Sequence, residues 1–139
     1  MIKELVKDDA VLSQPCEKAT VADAQVAQDL LDTLAATEGA ACLAANQIGE
    51  TKAIVAYLDE QDEPHVMYNP KLLLGLGAFK AVEGCLTRDE ETAVTRFERA
   101  KISYHEAVDG ELVLRKQDFQ GWTAQMLQHM IDHCKGKLV

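Results

Sequence analysis

Apolar residues first recur at helical spacing about twenty positions from the N-terminus. Leu30 and Leu34 lie four residues apart within a run of small and apolar side chains, which places them on one face of a helix. Thr20 followed by Asp23 is a typical helix start, and Gly39 is a typical helix end. The pattern predicts an amphipathic N-terminal helix whose apolar stripe packs in the core.

The middle of the chain changes to short β-rich runs. Residues 52–58 form an apolar run of the kind found in buried strands, and the acidic residues of 59–64 predict a turn after it. Further short strands are predicted around residues 66–68 and 72–74. These runs indicate a sheet that begins immediately after the first helix region.

A β-hairpin is predicted farther along. Residues 101–107 place Ile102 and Tyr104 on one side of a strand, and Leu112 and Leu114 alternate on the return. The Asp-Gly pair at residues 109–110 is a strong signal for a tight hairpin turn. We therefore expect this part of the sheet to be antiparallel.

Helical spacing returns after Gly121 and continues almost to the C-terminus, with Met126, Leu127 and Met130 among its apolar positions. The order of helix, several strands and helix predicts an α+β fold with mostly antiparallel sheets around a C-terminal helix. No repeat or change of composition marks a linker, so we expect residues 1–139 to form a single domain.

Charge and composition exclude several classes of function. The chain has 139 residues, 47% hydrophobic content and a formal net charge of -9. Nucleic acids and anionic membranes are bound by clustered Lys and Arg, so neither is expected as a partner. The N-terminus has no apolar signal region, and no apolar run is long enough to cross a bilayer. We expect a cytoplasmic protein with a small or neutral ligand, and its oligomeric state is left open.

Cysteines are scattered without the paired spacing of a disulfide framework or a zinc finger. The four are Cys16, Cys42, Cys85 and Cys134, and no secretory signal precedes them. We expect reduced thiols, most of them small buried apolar residues.

Two histidines on the C-terminal helix carry the most informative spacing in the chain. His129 and His133 lie about one helical turn apart and project from the same face, where they can hold one cation. The alternative is a pair of buried histidines bonded to their neighbours. A third ligand is available from the thiolate of Cys85, and the fourth position would then be open for water. Met130 stands where a metallohydrolase of the HExxH type has its glutamate.

Three separated segments resemble the three signature motifs of peptide deformylases. They are LAANQ at 43–47, EGCLT at 83–87 and QHMIDH at 128–133, in the family's order. The resemblance spans most of the chain and implies the deformylase fold. It also implies removal of the formyl group from N-formyl-methionyl peptides during protein maturation.

The resemblance further implies roles for individual residues. Cys85, His129 and His133 would bind one divalent metal ion, usually Fe²⁺, with Zn²⁺ or Ni²⁺ as substitutes. The Gln47 side chain and the backbone N–H of Leu86 would stabilise the oxyanion that develops on the formyl group.

Acidic residues near the motifs are interpreted as structural. By resemblance, Glu83 would pair with Arg96 outside the ligand shell and fix the loop that carries the cysteine. Asp132 is one step, about 100°, from His133 around the helix and should point away from the metal. It is interpreted as an outer-shell or capping residue.

The chain departs from the family pattern at the substrate groove. Ala40 and Cys42, on either side of Ala41, occupy positions where the family usually has glycines, and their side chains would narrow the groove. The sequence also lacks the C-terminal extension of many members, and we interpret it as a short variant. His65 and His105 belong to no motif and are expected outside the site.

Met130 leaves one structural and three functional interpretations open. As a methionine it is an ordinary apolar filler of a helix face. As a replacement for a general base it predicts a hydrolase with weak activity, since such a base contributes roughly 10²–10⁴-fold. The alternatives are a degenerate homologue that binds metal and peptide without catalysis, and an engineered replacement in an active enzyme.

Overall fold

The computed structural model describes residues 1–139 and is organised around one antiparallel sheet in which each strand pairs with the next along the chain. Three helices and two 3₁₀ turns, Val21–Asp23 and Ala45–Ile48, accompany the sheet. In chain order the helices and strands are α1 (Asp9–Leu12), α2 (Ala24–Ala36), β1 (Cys42–Ala44), β2 (Ile54–Leu58), β3 (Pro64–Cys85), β4 (Arg88–Val108), β5 (Glu111–Gln120) and α3 (Gly121–Cys134).

The N-terminal helix starts as its sequence predicts. Thr20 and Asp23 form a reciprocal cap, in which the Asp23 carboxylate accepts from the Thr20 N–H at 2.9 Å. The first turn is 3₁₀ and α2 follows, with Leu30 and Leu34 buried on its inner face. The predicted amphipathic helix is confirmed.

Strand β2 places its side chains alternately against the two long helices, and this explains its unbroken apolar sequence. Ile54 and Ala56 lie in the buried cluster that contains α2, whereas Val55 and Tyr57 lie in the cluster that contains α3. The α+β prediction, with antiparallel strands around a C-terminal helix, is confirmed. None of the helices combines the length and apolar composition needed to span a bilayer.

The strand segments predicted at 66–68 and 72–74 are confirmed as strand, but both belong to the single 22-residue strand β3 rather than to separate short strands. Together with β4 it forms a long hairpin that closes just after Cys85. Register shifts after Tyr68 and Leu72 interrupt the ladder, and such irregularities bend a strand. Much of the hairpin is exposed on both faces, so its sequence lacks the alternation by which strands are recognised.

The predicted hairpin between β4 and β5 is confirmed. Val108 pairs with Glu111 across the Asp109–Gly110 turn, and both turn residues have positive φ, at 50° and 79°. The final helix is also confirmed, beginning at Gly121. Helix α1, strand β1 and the turn Ala45–Ile48 were not predicted, because segments this short have no measurable periodicity.

Candidate metal centre

The three sequence motifs meet at one place in the fold. Cys85 is the last residue of β3, His129 and His133 lie on successive turns of α3, and Gln47 lies in the turn Ala45–Ile48. The hairpin arm delivers the cysteine to the inner face of the helix. Residues that are 38 to 48 positions apart in the chain thereby come into contact.

The candidate ligand atoms have the spacing that a metal ion requires. Cys85 Sγ lies 3.4 Å from His133 Nε2, which lies 3.1 Å from His129 Nε2. The three ligand atoms lie within 4.8 Å of one another. A tetrahedral ion with bonds of about 2.0–2.3 Å holds its ligand atoms about 3.3–3.7 Å apart. His133 Nε2 therefore lies within a few tenths of an ångström of this spacing from each of the other two ligand atoms.

Glu83 supports the first histidine from outside the ligand shell. Its carboxylate accepts from His129 Nδ1 at 2.8 Å, from Gln125 at 2.9 Å and from the Arg96 guanidinium at 2.6 Å. The bond to Nδ1 turns Nε2 of His129 toward Cys85 and His133. Metal-binding histidines typically have an outer partner of this kind.

Arg96 joins Glu83 to the only other acid in this cluster. Its guanidinium donates to the Asp132 carboxylate at 2.6 Å, so Asp132 points away from the ligand atoms, as its helical position predicted. Both carboxylates are therefore held in ion pairs with a buried arginine.

Two groups of the cluster, Cys85 and Glu83, are held in the charge states that favour metal binding. Burial alone would raise the pKa of the Cys85 thiol, but contacts with His129, His133 and Thr87 outweigh it and lower this pKa to about 5. Burial alone would raise the pKa of the Glu83 carboxyl. The hydrogen bonds from His129 and Arg96 outweigh burial and lower this pKa to about 2. A thiolate and a carboxylate at neutral pH are the required ligand and outer-shell states. Burial lowers the pKa of His129, but its bonds to Cys85 and Glu83 outweigh this and raise the pKa to about 9, so this imidazole releases a proton when a metal binds.

Gln47 is fixed beside the cysteine. Its Oε1 accepts from the Ala44 N–H at 2.9 Å, and its Nε2 lies 3.3 Å from Cys85 Sγ and 3.1 Å from Thr87 Oγ1. The N–H of Leu86 takes part in no backbone hydrogen bond. The Leu86 N–H is thus a free donor beside the centre, whereas the Gln47 Nε2 donor is engaged by Cys85 and Thr87. No role was predicted for Thr87, because its contacts depend on the conformation of the hairpin turn.

A cavity of about 280 Å³ opens onto the centre. Ala40, Ala41 and Cys42 form part of its wall, as expected for a groove, and the exposed Trp122 lies at its rim. Burial raises the pKa of Cys42 to about 12, so this thiol is neutral. The cavity suits an apolar side chain next to the metal centre.

Met130 faces this cavity with only 2% of its surface exposed and also packs in the core around α3. A thioether accepts no proton at neutral pH. Glu83 is the one carboxylate in the cavity wall, and its oxygens are occupied by His129, Arg96 and Gln125. No free carboxylate lines the cavity.

The histidine His65, interpreted as outside the site, does lie elsewhere. It pairs with Asp59 near a larger cavity of about 770 Å³ that includes none of the three candidate ligands.

The cysteines are all free, as expected, but they are half-buried rather than fully buried. The thiols of Cys16 and Cys134 also lie in hydrogen-bonding contact, a pairing that their separation in sequence conceals.

Comparisons with known proteins agree with this architecture. The sequence profile of the polypeptide deformylase family matches residues 2–139. The peptide deformylase of Clostridium beijerinckii is 37% identical over 141 residues, covering 100% of both chains. That of Dictyoglomus thermophilum is 33% identical over 144 residues, covering 100% of this chain and 91% of the other.

Solved structures lead to the same family. The crystal structure of peptide deformylase from Thermus thermophilus superposes with a TM-score of 0.84 at 27% identity, covering 99% of this chain and 83% of the other. Fold, full-length sequence similarity and the Cys-His-His group all agree, and we conclude that the chain belongs to the peptide deformylase family.

Proposed function

We propose that the chain is a metal-dependent amide hydrolase that acts slowly on N-formyl-methionyl peptides in the cytoplasm, with residues 1–139 working as one domain. The observation that carries the proposal is the Cys85, His129 and His133 group beside an apolar cavity, in a family that acts on such peptides.

One divalent ion, Fe²⁺ with Zn²⁺ or Ni²⁺ as substitutes, would be held by Cys85, His129 and His133. Such an ion lowers the pKa of a water molecule and polarises a carbonyl group. Two imidazoles and a thiolate suit all three metals. The outer bond from Glu83 to His129 keeps the first imidazole in the tautomer that leaves Nε2 free.

The hydrogen-bond donors beside the metal centre would position the substrate. The Gln47 Nε2 group, fixed by the bond from Ala44 to its Oε1, and the N–H of Leu86 would donate to the formyl oxygen as negative charge develops on it. The apolar cavity bounded by Ala41 and Met126 would receive the methionine side chain of the substrate.

Proton transfer is the weak step. A general base beside His129 would take a proton from the attacking water and return it to the departing amine, and Met130 cannot do either. Glu83 cannot replace it without breaking its bonds to His129 and Arg96. We therefore expect a rate roughly 10²–10⁴-fold below that of a site with a positioned carboxylate.

The second candidate function is the binding of metal and formylated peptide without turnover, as a catalytically degenerate homologue would do. The specific observation in its favour is that the cavity wall offers no free carboxylate. It requires the same ligands and the same cavity, and differs only in the chemical step.

Formate release and peptide binding, measured on one preparation, test the proposal. Protein loaded with Fe²⁺ without oxygen would be incubated with a formyl-methionyl tripeptide, and binding would be measured separately by calorimetry. Slow, metal-dependent formate release supports the hydrolase, and binding without release supports the second function. Cys85→Ala is the control that should lose metal. Neither binding nor release by the metal-loaded native protein would reject both functions.

A further inference from the structure

The turn Ala45–Ile48 reaches both halves of the metal centre with two neighbouring carboxamides. Gln47 contacts Cys85 at the end of β3, as described above. Asn46, fully buried, donates from Nδ2 to the backbone carbonyl of His133 at 2.8 Å, across 87 residues of sequence. This short turn therefore contacts a candidate ligand on the hairpin and another on the helix.

The two histidines differ in their outer bonding. Nδ1 of His129 donates to Glu83, whereas Nδ1 of His133 has no hydrogen-bond partner. Nε2 of His133 faces Cys85 and His129, so binding a metal there requires the ring proton to lie on Nδ1. A fully buried ring N–H is then left without an acceptor, which is costly inside a protein.

An acceptor is available on the residue that already contacts His133. Two buried side-chain atoms in the whole chain have no partner, His133 Nδ1 and Asn46 Oδ1. One is a donor in the metal-binding tautomer, and the other is always an acceptor. The Asn46 side chain already lies against His133, because its Nδ2 donates to the backbone carbonyl of that residue.

We propose that Asn46 is a positioning residue of the metal centre, whose carboxamide oxygen accepts the Nδ1–H of His133, directly or through one water, when the metal is bound. The inference rests on the proposed metal centre. It adds Asn46, as the hydrogen-bond partner of His133, to Glu83, which is the partner of His129. One imidazole is then supported by a carboxylate and the other by a neutral amide. Since the two Nε2 atoms lie 3.1 Å apart, slightly closer than a bound ion holds them, a small rearrangement of the His133 ring accompanies loading.

Zinc affinity, measured by competition with a chromogenic chelator, tests the proposal. Asn46→Leu removes the acceptor and should weaken Zn²⁺ binding by roughly 10–100-fold, the usual effect of losing an outer partner. Asn46→Asp loses the donor to the His133 carbonyl just as Asn46→Leu does, but it keeps an acceptor oxygen and should stay within a few-fold of the native affinity. Asn69→Gly is the matched control, because the Asn69 carboxamide also bonds to the backbone but lies outside the metal centre. Asn69 has a positive φ, which glycine adopts without strain. The affinity of this control should equal that of the native protein.

The native protein provides a second readout that does not depend on a variant folding. In the zinc-loaded form the Nδ1–H proton of His133 should show the downfield NMR shift of a hydrogen-bonded ring N–H. Native affinity in Asn46→Leu, equally weak binding in Asn46→Asp, or the shift of a free ring N–H would each overturn the inference. Those results leave the metal centre intact, whereas a native protein that binds no Zn²⁺ overturns the inference and the proposed function together.

Discussion

Met130 satisfies the requirements of packing, and under the proposed function it leaves the site without a general base. It is a good helix former, it is almost completely buried, and its flexible side chain fills the space between α3 and the sheet. The same side chain faces the cavity beside His129, where a hydrolase needs a proton acceptor. A methionine at this position is therefore compatible with a stable fold whether or not the site is active.

Glu83 is expected to be the most important carboxylate for stability. Glu83→Gln would leave the buried Arg96 guanidinium with weaker partners and should lower the free energy of unfolding by about 3–5 kcal/mol. Urea denaturation measures this. The matched control is Glu106→Gln, because Glu106 pairs with Arg115 on the surface, where such a pair contributes about 0–1 kcal/mol. Equal losses of unfolding free energy in the two variants would contradict the prediction that the buried Glu83–Arg96 pair matters more for stability than a surface pair.

The same carboxylate predicts a pH dependence in the metal-free protein. The pKa of Glu83 is about 2 in the folded state against an ordinary 4.5. A lowered pKa stabilises the fold above pH 4.5, and this contribution is lost as the pH falls toward 2. The difference in unfolding free energy between the native protein and Glu83→Gln should therefore shrink across this window. A difference that stays constant from pH 5 to about 2.5 would show that the carboxylate is not held ionised.

Among the helices and strands, sequence patterns predict the ones that have one buried face and one exposed face. Helices α2 and α3 and the β4–β5 hairpin each have one buried face or a distinctive turn, so their periodicity was readable. The long arms of β3 and β4 expose both faces over much of their length and are held mainly by pairing with each other. Pairing between distant residues leaves no local signal.

The candidate site divides in the same way. Cys85, His129 and His133 were identified because one family motif and one helical turn contain them. The pairing of Glu83 with Arg96 was also predicted by the resemblance, whereas the contacts of Thr87 and Asn46 and the bond from Arg96 to Asp132 depend on how the hairpin meets α3. Such contacts are set by tertiary packing, so no sequence pattern foretold them.

The junction between α3 and the N-terminal segment makes a prediction of its own. Gly136 has a φ of 76°, and a Cβ there would lie 2.6 Å from the Ser13 carbonyl oxygen. Gly136→Ala should therefore destabilise by about 2–4 kcal/mol, about 1 from the backbone and the rest from the clash. Gly110→Ala is the control, with a φ of 79° and open space around it, and should cost about 1 kcal/mol. Thermal unfolding of both variants measures this, and equal losses would contradict the close packing.

For the whole molecule, the metal centre joins the hairpin, the last helix and the turn that follows β1. A ligand that binds only the folded chain stabilises it by about 2.7 kcal/mol at 100 times its dissociation constant. Chelation of the metal should therefore lower the melting temperature by about 5–10 °C. Calorimetry before and after dialysis against a chelator tests this, with elemental analysis of the same samples.

Cys85→Ala provides the control for metal removal. It should contain little metal when purified without oxygen, and its melting temperature should not respond to the chelator. Metal content equal to that of the native protein would reject the assigned ligand set. An unchanged melting temperature in native protein that demonstrably loses its metal would show that the ion does not stabilise the fold.

The central claim is that the ligands, the oxyanion donors and the cavity are present and that only the proton-transfer group is missing. Formate release from a formyl-methionyl peptide, compared between the native protein and Met130→Glu at matched metal occupancy, tests it most directly. The account predicts slow release by the native protein and a gain of about 10²-fold or more in the variant. Met130→Gln, of similar size but without a base, should show no gain. Native turnover as fast as Met130→Glu would contradict the account, because another group must then transfer the proton.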